Sequence, residues 1–279
     1  MPELPEVETV RRGLANLAVG WKITNAENLH PRLLKESSIA PLESVAGARI
    51  VEARRRGKFL WLVLNRPEVL VAHLGMSGQF LFHEEGKPSA KHARARFQLS
   101  KALRRRELVF NDQRTFGWLS VEQCTDGVPT SVQHIAPDPF EEEFALTEVI
   151  ANVRRRKTTI KTALLNQEIM SGVGNIYADE SLWRAKIHPE TEASSMSSAR
   201  IERLVQSAME VMAEAIRQGG TSFDDMYINV NGESGFFEQS LNVYGLEGEP
   251  CSRCGGAIKR IAFANRSSHF CPKCQRKSI

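Results

Sequence analysis

The chain has 279 residues, 42% of them apolar and 25% charged, which fits two ordinary domains with packed cores and excludes a disordered chain. The longest apolar run, about Phe59–Leu64, is far short of a membrane span, and Met1-Pro2-Glu3-Leu4-Pro5-Glu6 lacks the basic and apolar regions of a secretory signal. The net charge is +4, but residues 251–279 hold seven basic and no acidic side chains, so the first 250 residues sum to 30 basic minus 33 acidic, or −3. Three basic clusters recur in that remainder, at Arg54–Arg56 with Lys58, Arg104–Arg106 and Arg154–Lys157. They point to a polyanion such as nucleic acid, with solvated strand and loop ends as the alternative.

In chain order, residues 5–17 read as a helix, with Val7, Val10, Leu14 and Leu17 on one face and Pro5 near its start. Residues 20 to about 123 then read as strands: 49–54, 58–64, 69–74, 79–83, 94–99, 107–111 and 118–121. One helix followed by many strands predicts a β-sandwich or barrel-like domain. Asp126–Phe140, with three prolines, reads as a linker. Segments 146–153, 160–167, 175–185 and 197–218 follow a helical period, and Gly219-Gly220 ends the last. Residues 221–248, rich in Gly, Asn and aromatics, read as a long functional loop.

Cys251-x2-Cys254 and Cys271-x2-Cys274 are separated by sixteen residues, a spacing that can set four thiolates around one Zn²⁺. Ile258–Phe263, a turn at 265–268 and His269–Phe270 read as a hairpin between them. So short a segment has little core, so metal is the expected source of its stability. Two disulfides or free thiols are the alternatives; His269 is read as a bystander and Cys124 as an inert thiol. At the other terminus, removal of Met1 would make Pro2 a secondary amine. An α-amine has a pKa near 8, and a helix start behind it lowers that further. Such an amine can form a Schiff base, with Glu3 as neighbouring acid or base. An ordinary start with acids capping a helix is the competing reading.

MPELPEVETVRRGL (1–14), RRGKFLWL (55–62), HLGMSGQF (73–80), NDQRTFGWL (111–119), SGVGNIYADESLW (171–183), the run 219–245 and NRSSHFCPKCQ (265–275) closely resemble the formamidopyrimidine-DNA glycosylases, bacterial repair enzymes that excise oxidised purines. The resemblance spans essentially the whole chain. It implies an α+β fold: an N-terminal helix with an antiparallel β-sandwich (1–130), a helical helix-two-turn-helix domain (131–245) and a β-hairpin zinc finger (246–279). It also implies a bifunctional glycosylase and abasic-site lyase for 8-oxoguanine and formamidopyrimidines.

By the resemblance, Pro2 is the nucleophile, Glu3 the acid that opens the sugar, and Glu6 a second carboxylate nearby. Lys58 assists elimination, and Arg266, read as a turn arginine, carries the second elimination. Met76, Arg114 and Phe116 fill the void left by the flipped base; core packing is the alternative for the two apolar residues. His92, Arg156, Lys161 and Asn175 are phosphate contacts, with Asn175 as a plain N-cap the alternative. Residues 221–245 are a lid over the lesion. Cys251, Cys254, Cys271 and Cys274 hold one structural Zn²⁺. Damaged duplex DNA is the partner, with no nucleotide cofactor and no membrane, for a cytoplasmic bacterial monomer. Two departures stand out: Arg94 where many relatives carry histidine, and Gln113 and Thr115 where others carry Pro and Arg. An endonuclease VIII-type enzyme for oxidised pyrimidines, a non-catalytic zinc reader of damage and an RNA-binding finger protein are the alternatives. Leu4, the long loop and intact Pro2, Glu3, Lys58 and Arg266 weigh against them.

Overall fold

The computed structural model describes residues 2–86, 91–221 and 237–277. These divide into two compact units, one of residues 2–134 with 218–221, the other of 135–217 with 237–277.

The first unit opens with α1 (Leu4–Leu17), which buries Val7, Val10 and Leu14. Eight strands follow: β1 (Lys22–Asn28), β2 (Ile50–Arg56), β3 (Phe59–Leu64), β4 (Glu68–His73), β5 (Gly78–Glu84), β6 (Ala93–Lys101), β7 (Arg104–Asp112) and β8 (Trp118–Thr125). With the short β9 (Val128–Pro129) they make two antiparallel sheets, ordered β1-β6-β7-β5 and β2-β3-β4-β8-β9. Alternate residues from both sheets, such as Leu60, Leu62 and Leu64 of β3 and Phe97 and Leu99 of β6, share one core with α1. This is the expected sandwich. β1 lies outside the strands that the sequence predicts, since Lys22–Asn28 offers only Ile23 and Ala26 to the core. The expected linker also begins with structure: β9 pairs with β8, and Thr130–Val132 form a helical turn.

The second unit holds α2 (Leu146–Arg154), α3 (Ile160–Leu165), α4 (Asn175–Ala185) and α5 (Ser198–Arg217), then the hairpin β10 (Lys259–Phe263) and β11 (Arg266–Phe270). Gln167 locks the two turns between α3 and α4. Its Oε1 accepts Gly172 N–H, and its Nε2 donates to the carbonyls of Leu165 and Val173. That is the helix-two-turn-helix. Among the described residues no helix is long and apolar enough to cross a membrane.

Candidate active site and nucleic-acid interface

Pro2, Glu3 and Glu6 are all buried at the start of α1. Glu3 and Glu6 form a reciprocal capping box, in which Glu3 N–H donates to Glu6 Oε2 at 2.8 Å. The other oxygen of Glu6 accepts both the N–H and the hydroxyl of Thr221, at 2.8 and 3.0 Å. Gly220 (φ +84°) lets the chain approach, because a Cβ there would lie 3.0 Å from Glu6 Oε1. Glu6 therefore bolts the N-terminus to the residue that begins the 221–245 segment. Of that segment, 222–236 lie outside the described residues.

Lys58 and Gly57 form the two-residue turn between β2 and β3, so Lys58 stands before the strand rather than in it. Its charge reaches His73, whose pKa is lowered to about 4 by burial first, then by Lys58 and Lys35. His73 is thus neutral, and its Nδ1 accepts Gly75 N–H at 3.1 Å.

That bond begins a pair of interlocked turns. In the first, Gly75 (φ +61°) approaches the second so closely that a Cβ would meet the Phe116 carbonyl carbon at 2.4 Å. In the second, Asp112 is fully buried and accepts the N–H groups of Arg114 (3.2 Å) and Gly117 (2.7 Å) and the hydroxyl of Ser77. The turns hold Met76 at 42% and Phe116 at 58% exposure, with Arg114 exposed beside them. Core packing is thereby excluded for Met76 and Phe116. Thr115, between Arg114 and Phe116, has φ +55°. For a β-branched residue that conformation costs about 1–2 kcal/mol. His92, half-buried, follows with its carbonyl accepting Asp112 N–H.

The basic clusters divide in their roles. Arg54 pairs with Glu52, Arg55 with Glu8 and Arg106 with Glu84, so much of that charge is answered within the protein. Burial raises the Glu8 carboxyl, but bonds from Arg11 and Arg12 and the charge of Arg55 outweigh it and hold the pKa at about 2. Arg156 and Lys157, by contrast, are exposed and line a cleft of about 820 Å³ with Thr162, Phe263, Asn265 and Arg266.

Arg266 is the first residue of β11, opposite Phe263, and not in the turn, which is only Ala264-Asn265. Pairing extends to the hairpin tip, which stiffens the arginine's base while leaving its side chain exposed. Asn175 is the first helical residue of α4, after the N-cap Gly174. Its Nδ2 donates to Ser267 O at 3.1 Å, and its buried Oδ1 has no described hydrogen-bond partner. Lys161 departs from the expectation of an open phosphate contact. It is fully buried, ion-paired to the equally buried Asp179 at 2.7 Å, and bonded to Ser267 O at 3.2 Å. Asp179 also accepts Ser268 Oγ–H and His269 N–H, both at 2.8 Å. One carboxylate thus ties α3, α4 and the hairpin together.

The four cysteine Sγ atoms all lie within 4.8 Å of one another. Tetrahedral Zn–S bonds near 2.3 Å require S···S separations of about 3.8 Å, so the four thiols fit one Zn²⁺. Burial opposes ionisation of Cys251, yet the Trp183 N–H at 3.3 Å and backbone donors bring its pKa to about 6. Gln275 closes the second Cys pair: its Oε1 accepts Cys271 N–H and its Nε2 donates to Ile187 O. Cys124 is half-buried, with a thiol raised by burial.

Three family models match in order along the chain. The formamidopyrimidine-DNA glycosylase N-terminal domain covers residues 1–119, that family's H2TH domain 135–226, and a zinc finger found in FPG and IleRS 248–276. A formamidopyrimidine-DNA glycosylase of Corynebacterium glutamicum (strain R) is 50% identical over 99% of this chain and all of its own. The chain belongs to the formamidopyrimidine-DNA glycosylase family. The crystal structure of the family's MutM (Fpg) protein from Thermus thermophilus matches with a TM-score of 0.86 and 37% identity, covering the whole of both chains. A Lactococcus lactis FPG variant in complex with Fapy-dG-containing DNA matches with a TM-score of 0.86 and 35% identity, over 99% of this chain and 100% of that one. The zinc-finger match and the four-thiol cluster agree on one structural zinc.

Sequence reasoning missed Asp112, His73, Thr221, Asp179 and Glu180 in this family member. Glu180 accepts the N–H groups of Asn242, Val243 and Tyr244. Burial nevertheless pushes its carboxyl pKa up. An acid inside a helical pattern gives no local sign of such work.

Proposed function

We propose that the chain is a bifunctional DNA glycosylase and abasic-site lyase that removes oxidised purines, 8-oxoguanine and formamidopyrimidines, from damaged duplex DNA. The observation that carries this reading is the full-length family match, together with an N-terminus held by its own capping box and two exposed apolar side chains on interlocked turns. With Met1 removed, the Pro2 nitrogen attacks C1′ of the damaged nucleotide and the base departs with its bonding electron pair. The sugar ring opens with a proton supplied at Glu3, leaving an iminium between Pro2 and C1′. Loss of a C2′ proton then expels the 3′ phosphate, with Lys58 assisting. A second elimination, assigned to Arg266, expels the 5′ phosphate and leaves a one-nucleotide gap; water then hydrolyses the iminium, which releases the sugar remnant as an unsaturated aldehyde and restores the Pro2 amine. Met76, Arg114 and Phe116 occupy the stack vacated by the flipped nucleotide, an event that costs a few kcal/mol.

Arg156 and Arg266 across their cleft, with His92 and Asn175, receive phosphates; Lys161 serves by holding the hairpin. The Zn²⁺ is structural and supplies no step. Residues 1–130, 131–245 and 246–279 are the corresponding functional segments of a cytoplasmic bacterial monomer that needs no nucleotide cofactor.

Borohydride trapping tests the reading. Protein beginning at Pro2 is mixed with duplexes bearing 8-oxoguanine opposite cytosine or an oxidised pyrimidine. A covalent adduct at Pro2 on the purine lesion is expected. Trapping chiefly on the pyrimidine would move the chain to the endonuclease VIII type, and binding without an adduct would make it a damage reader. Pro2→Thr or Glu3→Gln should slow base removal by roughly 100-fold or more while duplex affinity stays nearly constant; an equal loss of binding would overturn the assigned roles.

A further inference from the structure

We propose that Arg94 is a positioning residue that holds the void-filling turn in its working shape through the hydroxyl of Thr115. This rests on the glycosylase reading above and deepens it.

Three independent observations meet at this pair. First, β6 carries a bulge there: Ala93 pairs with Asn111 and Ala95 with Phe110, so Arg94 is the extra residue. Its carbonyl bonds to Leu29 N–H at 2.9 Å instead of joining the β6–β7 ladder. A bulge re-aims a side chain, and this one sends the Arg94 guanidinium toward the turn. Second, Arg94 Nε donates to Thr115 Oγ1 at 3.1 Å. Third, Thr115 holds a left-handed φ of +55°, which a β-branched side chain resists.

The mechanical logic follows. The turn 113–117 is fastened on one side, where Asp112 gathers the N–H groups of Arg114 and Gly117. Thr115 lies at the crest and is the strained link. Without a hold on its hydroxyl, relaxing φ toward negative values would rotate the two neighbours it separates, Arg114 and Phe116. Those are the side chains that must enter the DNA stack together. Arg94 and Thr115, 21 positions apart in the chain, are thus bonded to each other.

The test compares wild type, Arg94→Ala, Thr115→Gly and the double variant, each first shown to unfold at a similar temperature. Glycine adopts positive φ without strain, so it removes the need for the latch. Single-turnover excision of 8-oxoguanine is measured. So is the fluorescence of 2-aminopurine beside a tetrahydrofuran abasic analogue, which reports insertion without chemistry. Arg94→Ala should slow excision on the order of tenfold and reduce the insertion signal. In the Thr115→Gly background the same substitution should change either by less than about twofold. The slope of log affinity against log salt should be unchanged; a fall of about one would mark a lost phosphate contact. An equal loss in both backgrounds would mean that Arg94 acts on DNA directly, and no loss in either would mean that the bond is idle. Either result overturns the proposal. If wild type fails to excise but still inserts, the glycosylase reading fails while the latch is still measured.

Discussion

His73 is buried, neutral and acceptor to the Gly75 N–H, and this single residue couples the acid stability of the sandwich to the Met76 turn. Its pKa is depressed to about 4, so between an unfolded value near 6.5 and about 4 the unfolded chain binds more protons. The stabilisation is complete above roughly pH 6.5 and declines as pH falls, by at most roughly 3 kcal/mol. Glu8 titrates lower: its contribution is present above roughly pH 4.3 and is lost as pH falls toward about 2. The two windows meet near pH 4. His188, also lowered by burial, shares the upper one. Urea unfolding of wild type and His73→Gln at pH 7.5 and 4.5 isolates His73. The variant should show a distinctly smaller loss of stability between these pH values; an unchanged loss would assign the effect elsewhere.

Among elements, α4 does the most with the least exposure. Its Asp179 holds Lys161 of α3 and the Ser268 and His269 groups of β11, and its Glu180 receives the chain after residue 241. Removing the charge of Asp179 strands a buried ammonium. Asp179→Asn should therefore destabilise the second unit by about 3–5 kcal/mol, while a Lys161→Met, Asp179→Asn pair, which removes the stranded ammonium and keeps an acceptor for Ser268 and His269, should cost less than Asp179→Asn alone. Chemical denaturation followed at Trp183 reads this, and near-neutral single variants would show that the pair is not structural. The elements themselves were largely legible: α1, α4 and the seven expected strands follow periodicity that core-facing residues impose locally. β1 was illegible because only two of its seven residues reach the core. The position of Arg266 was misread because turn residues at 265–268 outweighed the pairing register, which tertiary contact with α4 decides.

At the scale of the molecule, the hairpin of the second unit depends on the metal. Outside the four thiols its buried apolar contacts are few: Ile258 and Phe270, with Trp183 and Val243 supplied by other segments. Chelation should expose four more thiols to a colouring reagent than the zinc form shows, unfold residues 250–277 and weaken duplex binding. Unchanged thiol reactivity and binding would remove both the metal and the finger from the interface.

The sequence alone determined the segments whose chemistry is local: the two CxxC pairs, the helix start near Pro5 and the helical periods. Each is set by neighbours a few positions apart, and those spacings survive in a string of letters. The resemblance to relatives extended that local reading to function. Tertiary structure alone decided the rest. Glu6 meets Thr221 across 215 positions, Asp179 meets His269 across 90, and Arg94 meets Thr115 across 21. It also decided which arginines face outward and which are answered by Glu8, Glu52 or Glu84. A charge announces itself in sequence, but its partner is chosen by the packing of strands and helices, and burial then sets what the pair can do.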